Sequence, residues 1–223
     1  MSIKVIYRNL NRKDAKAVAR LACLELCHTD PLYKYMCMTE ADILPFFRVY
    51  IKTIISHKLS IGAFDRKTGR LYGFVLCSHA NKQLHRDVID GLNPIKLNRI
   101  LRIMDKVKDL GKGSEEAELF ESSVLVELAV SERCLSDTPV DRELCLRVHQ
   151  KARNLGKAVL SVATAFDSQA LLRLGNGRVL KSISYKTYKD KDGTSPFKEM
   201  PEPDVNIEFW VLSDVGFGKP SSL

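Results

Sequence analysis

Three side chains in this sequence could move a proton. Asp30 precedes Pro31 in the segment His-Thr-Asp-Pro-Leu, which interrupts a helical pattern because proline disfavours helical geometry in the residue before it. A carboxylate on a tight turn can accept a proton directly or through water, although an aspartate before proline is also common as a plain turn or cap residue. Glu127 lies in the apolar run Val124–Val130 and either faces solvent or enters a cleft. Ser168 precedes a short apolar helix, where its hydroxyl could cap the helix, donate a proton or do both.

The six cysteines do not form a metal or disulfide framework. No two of them have Cys-x-x-Cys spacing, and the nearest pair, Cys23 and Cys27, has helical spacing within an apolar pattern. A zinc site would need two further ligands at similarly short spacing. We therefore expect buried, reduced thiols and no bound metal.

The composition is that of an ordinary globular protein. The 223 residues are 45% hydrophobic and 28% charged, and 35 basic against 27 acidic residues give a net charge of +8. Disordered, collagen-like and small disulfide-rich proteins are excluded, and the longest apolar runs are far shorter than the ~20 residues of a membrane span. The N-terminal sequence lacks the apolar core of a signal peptide. These features predict a cytoplasmic protein without a membrane segment.

Hydrophobic periodicity predicts alternating strands and helices. Asn11 precedes the first apolar face at helical spacing, and Thr39-Glu40-Ala41-Asp42 has the pattern of a capping box that opens the second helix. The predicted strands are Ile3–Arg8, Leu59–Phe64, Leu71–Ala80, Val124–Val130, Ala158–Ala163, Val179–Tyr188 and Asn206–Leu212. Later helices are predicted at Pro94–Leu110, Pro139–Leu155 and Ser168–Leu174.

This order of elements predicts one α/β domain over residues 1–223. Strands joined through a helix must be parallel, whereas strands joined by the short loop 65–70 must be antiparallel, so the predicted sheet is mixed. Residues 81–122 interrupt the order and are predicted to be an insertion. The sequence contains no repeat and no linker long enough to separate two domains.

Several strings, in this order, resemble the GCN5-related N-acetyltransferase superfamily, and most closely its arylalkylamine N-acetyltransferase branch from insects and other invertebrates. They are Thr29-Asp30-Pro31-Leu32, IGAFDRKTGRLYGFVL at 61–76, VELAV at 126–130, LSVATAFDSQALLRLG at 160–175 and SYKTYKDKDGTSPF…VNIEFWVL at 184–212. The resemblance covers most of the chain outside residues 81–122. It implies an acyl-CoA N-acyltransferase fold with two splayed parallel central strands. It also implies transfer of an acetyl group from acetyl-CoA to a small primary amine.

The resemblance further implies roles for particular residues. Asp30 stands where these enzymes have a general base directly before a Pro-Leu pair, although the usual residue is glutamate. Ser168 matches the hydroxyl proposed to protonate the leaving thiolate, and Thr164 matches a second serine of the same relay. The implied acetyl-CoA site is formed by the first central strand and the turn after it: Leu128, Ala129, Val130, Ser136, Asp137, Thr138 and Val140.

The turn after that strand departs from the superfamily pattern Q/R-x-x-G-x-G/A. Residues 131–141 contain no glycine, and Thr138-Pro139-Val140-Asp141 has the pattern of a capping box that would occupy helix N–H groups. Glycine permits close approach of the backbone to a pyrophosphate, so its absence disfavours tight acetyl-CoA binding. A catalytically inactive relative that binds a ligand or a partner is therefore an alternative to an active enzyme.

A basic cluster near the predicted helix 94–110 raises a third hypothesis, a protein that binds nucleic acid or another partner. Its members are Lys96, Arg99, Arg102, Lys106, Lys108 and Lys112. Asp105 and Asp109 dilute this charge, which is typical of a solvated helix face. We therefore expect a small amine, and not nucleic acid, as the partner, while the oligomeric state stays open.

Five aromatic residues near the predicted second helix could contact such an amine. Phe46, Phe47 and Tyr50 lie within that helix, and Tyr33 and Tyr35 precede it. Their spacing fits the wall of an aromatic pocket and a hydrophobic core equally well.

Overall fold

A computed structural model describes residues 4–80, 94–110, 115–132 and 140–212. The strands are β1 (Val5–Asn9), β2 (Ile61–Asp65), β3 (Leu71–His79), β4 (Val124–Ser131), β5 (Val159–Ala163), β6 (Arg178–Ser184) and β7 (Asn206–Leu212). The helices are α1 (Ala15–Thr29), α2 (Pro31–Tyr35), α3 (Glu40–Ile55), α4 (Ile95–Lys108), α5 (Glu115–Ser122), α6 (Val140–Asn154) and α7 (Phe166–Leu174). None of these helices is long and apolar enough to cross a membrane.

One seven-stranded sheet joins the strands in the order β1-β2-β3-β4-β5-β7-β6. Neighbouring strands are antiparallel except β4 and β5, which are parallel. The predicted mixed α/β sheet is therefore confirmed. The parallel pairing runs from Val124 with Val159 to Val126 with Ser161 and then ends, although both strands continue. The predicted splaying of the two central strands is confirmed as well.

Helices cover both faces of the sheet. Successive residues of a strand point to opposite faces, so alternate residues of one strand pack against different helices. Phe74 and Leu76 of β3 pack with α1, α3 and α4 in one cluster of buried side chains. Val75 and Cys77 of the same strand pack with α6 in the second cluster.

The N-terminal caps of the first helices follow the sequence patterns. Thr39 Oγ1 accepts the N–H of Asp42, and the Asp42 side chain accepts the N–H of Thr39, so the predicted capping box is confirmed. Asn11 forms the same kind of box with Asp14, but it caps a short 3-10 turn that leads into α1.

Several predicted boundaries are wrong. α7 begins at Phe166, two residues before Ser168. β6 ends at Ser184, where a turn begins in which the N–H of Tyr188 bonds to the Ser184 carbonyl. The five-residue helix α2 is too short to give a periodic pattern, and α5 lies where no helix is predicted. The predicted helix start at Pro139 lies outside the described residues.

The helix α4 packs into the core although it lies within the predicted insertion. Leu97, Ile100 and Val107 are buried on the side that contacts β6 and β7. Arg102 donates through Nε to Asp190 Oδ1 at 2.7 Å and through Nη2 to Asp190 Oδ2. This ion pair attaches the helix to the segment between β6 and β7.

A second arginine of α4 extends this ion pair into a network. Arg99 lies 3.6 Å from Asp190 and 3.2 Å from Asp192. The Asp190 side chain is 1% exposed, whereas that of Asp192 is 52% exposed. Part of the basic cluster is thus engaged in ion pairs instead of forming only a solvated face.

Asp190→Ala should lower the free energy of unfolding by about 2–3 kcal/mol, because it leaves two partly buried guanidinium groups without their shared carboxylate. Asp192→Ala is the matched control and should cost less than about 1 kcal/mol, because its ion pair is exposed. Urea unfolding at neutral pH measures both changes. Equal losses in the two variants would show that burial does not strengthen this network.

The same residue should contribute to acid sensitivity. Burial alone would raise the pKa of Asp190, but the hydrogen bonds from Arg102 and from the Lys191 N–H, with the charge of Arg102, lower it overall. A lowered pKa in the folded state gives stability that is present above the ordinary aspartate pKa and is lost as the pH falls through the folded value. Asp190→Ala should therefore lose less stability than the parent when the pH falls below about 4.

Candidate active site

A cavity of about 510 Å³ opens where β4 and β5 separate. Its walls come from the two strands, the α1–α2 turn, α3, α4 and the start of α7. Asp30 lines it together with Thr164 and Ser168, which lie far from Asp30 in the sequence.

Asp30 is both a helix cap and a cavity residue. Its Oδ1 accepts the backbone N–H of Leu32 at 2.9 Å and that of Tyr33 at 3.3 Å, which caps α2. Its Oδ2 accepts the hydroxyl of Thr164 at 2.6 Å. The two interpretations of Asp30 from the sequence, a turn residue and a proton acceptor, are therefore compatible in this structure.

Burial raises the pKa of Asp30 above the usual aspartate range. The hydrogen bonds from Thr164 and from the N–H groups of Tyr33 and Leu32 reduce this rise, and the charge of Asp204 adds to it. A carboxylate with a raised pKa binds a proton more strongly than an exposed one, which suits proton transfer near neutral pH.

Thr164 directly follows β5, and both its hydroxyl and its carbonyl group form hydrogen bonds. Its hydroxyl donates to Asp30, and its carbonyl oxygen accepts the hydroxyl of Tyr185 at 2.9 Å. Tyr185 is fully buried. The position of the Asp30 carboxylate is therefore fixed from the core of the protein.

Ser168 lies in the first turn of α7 and is not its N-cap. The cap position belongs to Ala165, which has no side-chain oxygen, and Asp204 Oδ1 accepts the N–H of Phe166 instead. The capping interpretation of Ser168 is therefore wrong. Its side chain is exposed, and its hydroxyl has no hydrogen-bond partner in the described part of the chain.

The residues predicted to bind acetyl-CoA fall into three groups. Leu128, Ala129 and Val130 line the cavity on β4. Val140 is buried between α6 and the other face of the sheet. The remaining three, Ser136, Asp137 and Thr138, lie outside the described residues.

Glu127 enters the cavity because β4 contains a bulge. Leu76 pairs with Leu128 and Cys77 with Val126, so Glu127 is the extra residue of the bulge, opposite the step from Leu76 to Cys77. Its Oε2 accepts the hydroxyl of Tyr50 at 2.9 Å, and its Oε1 accepts the hydroxyl of Ser78 at 2.6 Å.

Aromatic side chains form the wall next to Glu127. Phe46 and Tyr50 stack with ring centroids 5.0 Å apart, and Phe47 meets Phe46 edge-on at 5.3 Å. All three are buried in the core and also line the cavity, as does Tyr33, so the two interpretations of these residues hold together.

Sequence reasoning missed several residues of this cavity. It also missed Ser78, which is not a lining residue but donates to Glu127; a serine within the apolar run of β3 is the signal that could have found it. Glu25 and Asp167 also line the cavity, and α4 contributes Leu101 and Met104. Among the described residues, no group of three or more histidine, cysteine or acidic side chains could hold a metal ion.

No protein-family model and no curated protein matches this chain. Arylalkylamine N-acetyltransferase 2 from Aedes aegypti superposes with a TM-score of 0.75 at 14% identity, over 95% of this chain and 99% of that one. Mosquito arylalkylamine N-acetyltransferase like 5b gives 0.76 at 12% identity, over 93% and 99%. The chain has the N-acetyltransferase fold.

Another enzyme with the N-acetyltransferase fold is the Drosophila melanogaster polyamine N-acetyltransferase, which catalyses formation of N-acetylagmatine. It superposes with a TM-score of 0.72 at 17% identity, over 94% of this chain and 99% of that one. The fold that the sequence strings implied is thus confirmed, although the identities are low. The N-acetyltransferase fold here includes the parallel pair β4 and β5, beside which the cavity lies.

Thr164→Val should raise the pKa of Asp30 further, because it removes a hydroxyl that stabilises the charged carboxylate while it keeps the shape of the side chain. Thr29→Val is the matched control, since Thr29 also lines the cavity but, within the described structure, makes no hydrogen bond to Asp30. A carbon-detected NMR titration of the Asp30 carboxyl measures the pKa. The same pKa in parent and Thr164→Val would show that this hydrogen bond is not formed in solution.

Proposed function

We propose that this chain, as one domain over residues 1–223 with an insertion near 81–122, is a GCN5-related N-acetyltransferase that acetylates a primary amine. The observation on which this proposal rests is the position of Asp30, a part-buried carboxylate of raised pKa in a cavity between two splayed parallel strands. The shared fold with arylalkylamine N-acetyltransferases supports the proposal.

The proposed donor is acetyl-CoA, which supplies the acetyl group as a thioester. Beyond Val126, β4 has no strand partner on the cavity side in the described residues, so its backbone groups there are available to the amides of a pantetheine arm. We assign this role to Leu128, Ala129 and Val130. Ser136, Asp137, Thr138 and the N–H of Val140 are the proposed ligands of the pyrophosphate.

Asp30 is the proposed general base. A primary amine with a pKa near that of lysine arrives as an ammonium ion, which has no lone pair for attack. Asp30 accepts one proton from it, directly or through water. The freed lone pair then forms the C–N bond to the acetyl carbon as the C–S bond breaks, and the nitrogen releases its second excess proton to water.

Ser168 is the proposed acid for the departing thiolate. Its hydroxyl lies on the cavity wall, has no partner within the described structure and is exposed to the solvent that would reprotonate it. Thr164, in contrast, already donates its hydrogen to Asp30, so it orients the base before the proton moves.

A second candidate function is a catalytically inactive protein that uses this cavity to bind a ligand or a partner. The absence of glycine from residues 131–141 favours it. Asp141 adds a negative charge to the cavity wall close to that segment in the chain, which opposes a polyphosphate.

Acetyl-CoA binding separates the two candidates. At 100 times its Kd, acetyl-CoA should add ~2.7 kcal/mol to the free energy of unfolding, which a thermal-shift titration detects. ATP is the control ligand, because a chain with a net charge of +8 could bind any polyphosphate weakly. No shift with acetyl-CoA, or an equal shift with ATP, would favour the inactive protein.

Asp30→Asn should lower kcat/KM by ~10²–10⁴-fold, because the amide cannot accept the proton. Asparagine is a good N-cap, so the bonds from the N–H groups of Leu32 and Tyr33 should survive and α2 should stay folded. The measurement is kcat/KM for a panel of primary amines between pH 6 and pH 9. Asp30→Glu, which restores the residue usual in the related enzymes, should hold or raise kcat.

Ser168→Ala is the companion variant and should cost less than Asp30→Asn, because water can replace a hydroxyl donor more easily than a held carboxylate. If Asp30→Asn stays within about threefold of the parent at every pH, well below the effect of losing a general base, then Asp30 serves only as a helix cap. Glu127 would then be the next candidate base.

A further inference from the structure

The cavity holds a second carboxylate that the proposed reaction does not use. Both oxygens of Glu127 accept hydroxyl hydrogens, one from Tyr50 on α3 and one from Ser78 on β3. Hydroxyl donors stabilise the ionised form of a carboxylate and hold it in one orientation. Glu127 is therefore held in one orientation by two hydroxyl donors, whereas Asp30 uses one of its oxygens to cap α2.

The surroundings of Glu127 suit a cation on an aliphatic chain. Phe46 and Tyr50 stack beside it, and Phe47 closes the same wall. Aromatic faces attract cations and also bury methylene groups. Among Phe46, Phe47 and Tyr50, the one side-chain hydrogen-bond donor is the Tyr50 hydroxyl, which is already bonded to Glu127.

The two carboxylates lie at different depths of the opening. Glu127 is one residue beyond the last β4–β5 pair, and Thr164, which holds Asp30, is three residues beyond it on β5. With a rise of about 3.4 Å per residue and about 4.8 Å between strands, the Glu127 and Thr164 backbones are roughly 8–10 Å apart. Because both carboxylates line the same cavity, a linear molecule of matching length can contact both.

The charge of the cavity is opposite to that of the protein. Five carboxylates line it, from Glu25, Asp30, Glu127, Asp141 and Asp167, and no lysine, arginine or histidine does so among the described residues. The chain as a whole carries a net charge of +8. A cavity of this sign raises the local concentration of cations over anions.

We propose that the acceptor is a linear aliphatic amine with a second positive charge, and that Glu127 binds that second charge while Asp30 deprotonates the reacting amine. The proposal rests on the proposed function above. Glu127 forms no bond to the acetyl group and accepts no proton. It is a specificity residue that selects dications over amines of one charge.

Diamines of increasing length, from 1,3-diaminopropane to 1,8-diaminooctane, test the proposal against alkyl monoamines of equal length. In the parent, kcat/KM should exceed that of the matched monoamine about tenfold or more at an intermediate length, which corresponds to ~1.4 kcal/mol. Glu127→Gln should abolish this preference through KM, because the amide oxygen can still accept a hydroxyl hydrogen but the side chain carries no charge to bind the second ammonium group. Glu25→Gln, a matched loss of charge elsewhere in the cavity, should keep the preference.

Two results would overturn the proposal. One is an unchanged diamine preference in Glu127→Gln. The other is an equal fall of kcat for both classes of amine, with a changed pH profile, which would make Glu127 the base.

A binding measurement separates this inference from the proposed function. Calorimetry of 1,5-diaminopentane against pentylamine, on the full chain without acetyl-CoA, should show tighter diamine binding in the parent and not in Glu127→Gln. If that difference is found in a protein that acetylates no amine, the proposed activity fails and the cation site stands. If both amines bind the parent equally, the cation site fails whatever the activity.

Discussion

The pairing of β4 with β5 ends after Val126 and Ser161, and the rest of the site depends on this break in the sheet. Beyond it, neither strand can satisfy the backbone groups of the other, so those groups need a different partner. The antiparallel pairing of β4 with β3 continues to Ser131 and holds the other side of the opening in place. The strands therefore diverge in one direction only, and the α1–α2 turn and α3 supply the side chains that fill the gap.

Two carboxylates in one cavity differ because their surroundings differ. Asp30 is desolvated and its Oδ1 is used by a helix, whereas Glu127 lies on a strand bulge between two hydroxyl donors. Like charges in a shared space repel each other, so both stay ionised only if each has its own hydrogen bonds. The hydroxyls of Thr164, Tyr50 and Ser78 meet that requirement without adding a positive charge to the cavity.

Local patterns in the sequence were enough for the seven described strands and for five of the seven described helices, but not for the contacts between them. Apolar alternation marks β4 and β5, and the Thr39–Asp42 capping box marks the start of α3, since both signals lie within a few residues. The bond between Thr164 and Asp30 joins residues 134 apart, and that between Ser78 and Glu127 joins residues 49 apart and depends on a bulge. The start of α7 was misplaced because its first N–H is capped by Asp204, which is distant in the sequence.

While Asp30 is ionised, its hydrogen bond with Thr164 has only one possible direction: the Thr164 hydroxyl donates and the carboxylate accepts. A proton that arrives on Oδ2 turns that atom into a donor, so the Thr164 hydroxyl must rotate and accept. The Thr164 carbonyl stays anchored to Tyr185, and the rotation therefore needs no backbone movement. The hydrogen of the Thr164 hydroxyl then points away from Asp30 to a different acceptor. Uptake of one proton by Asp30 thus redirects a second hydrogen, that of Thr164. Proton uptake by Asp30 is therefore coupled to the torsion of a single hydroxyl group, that of Thr164.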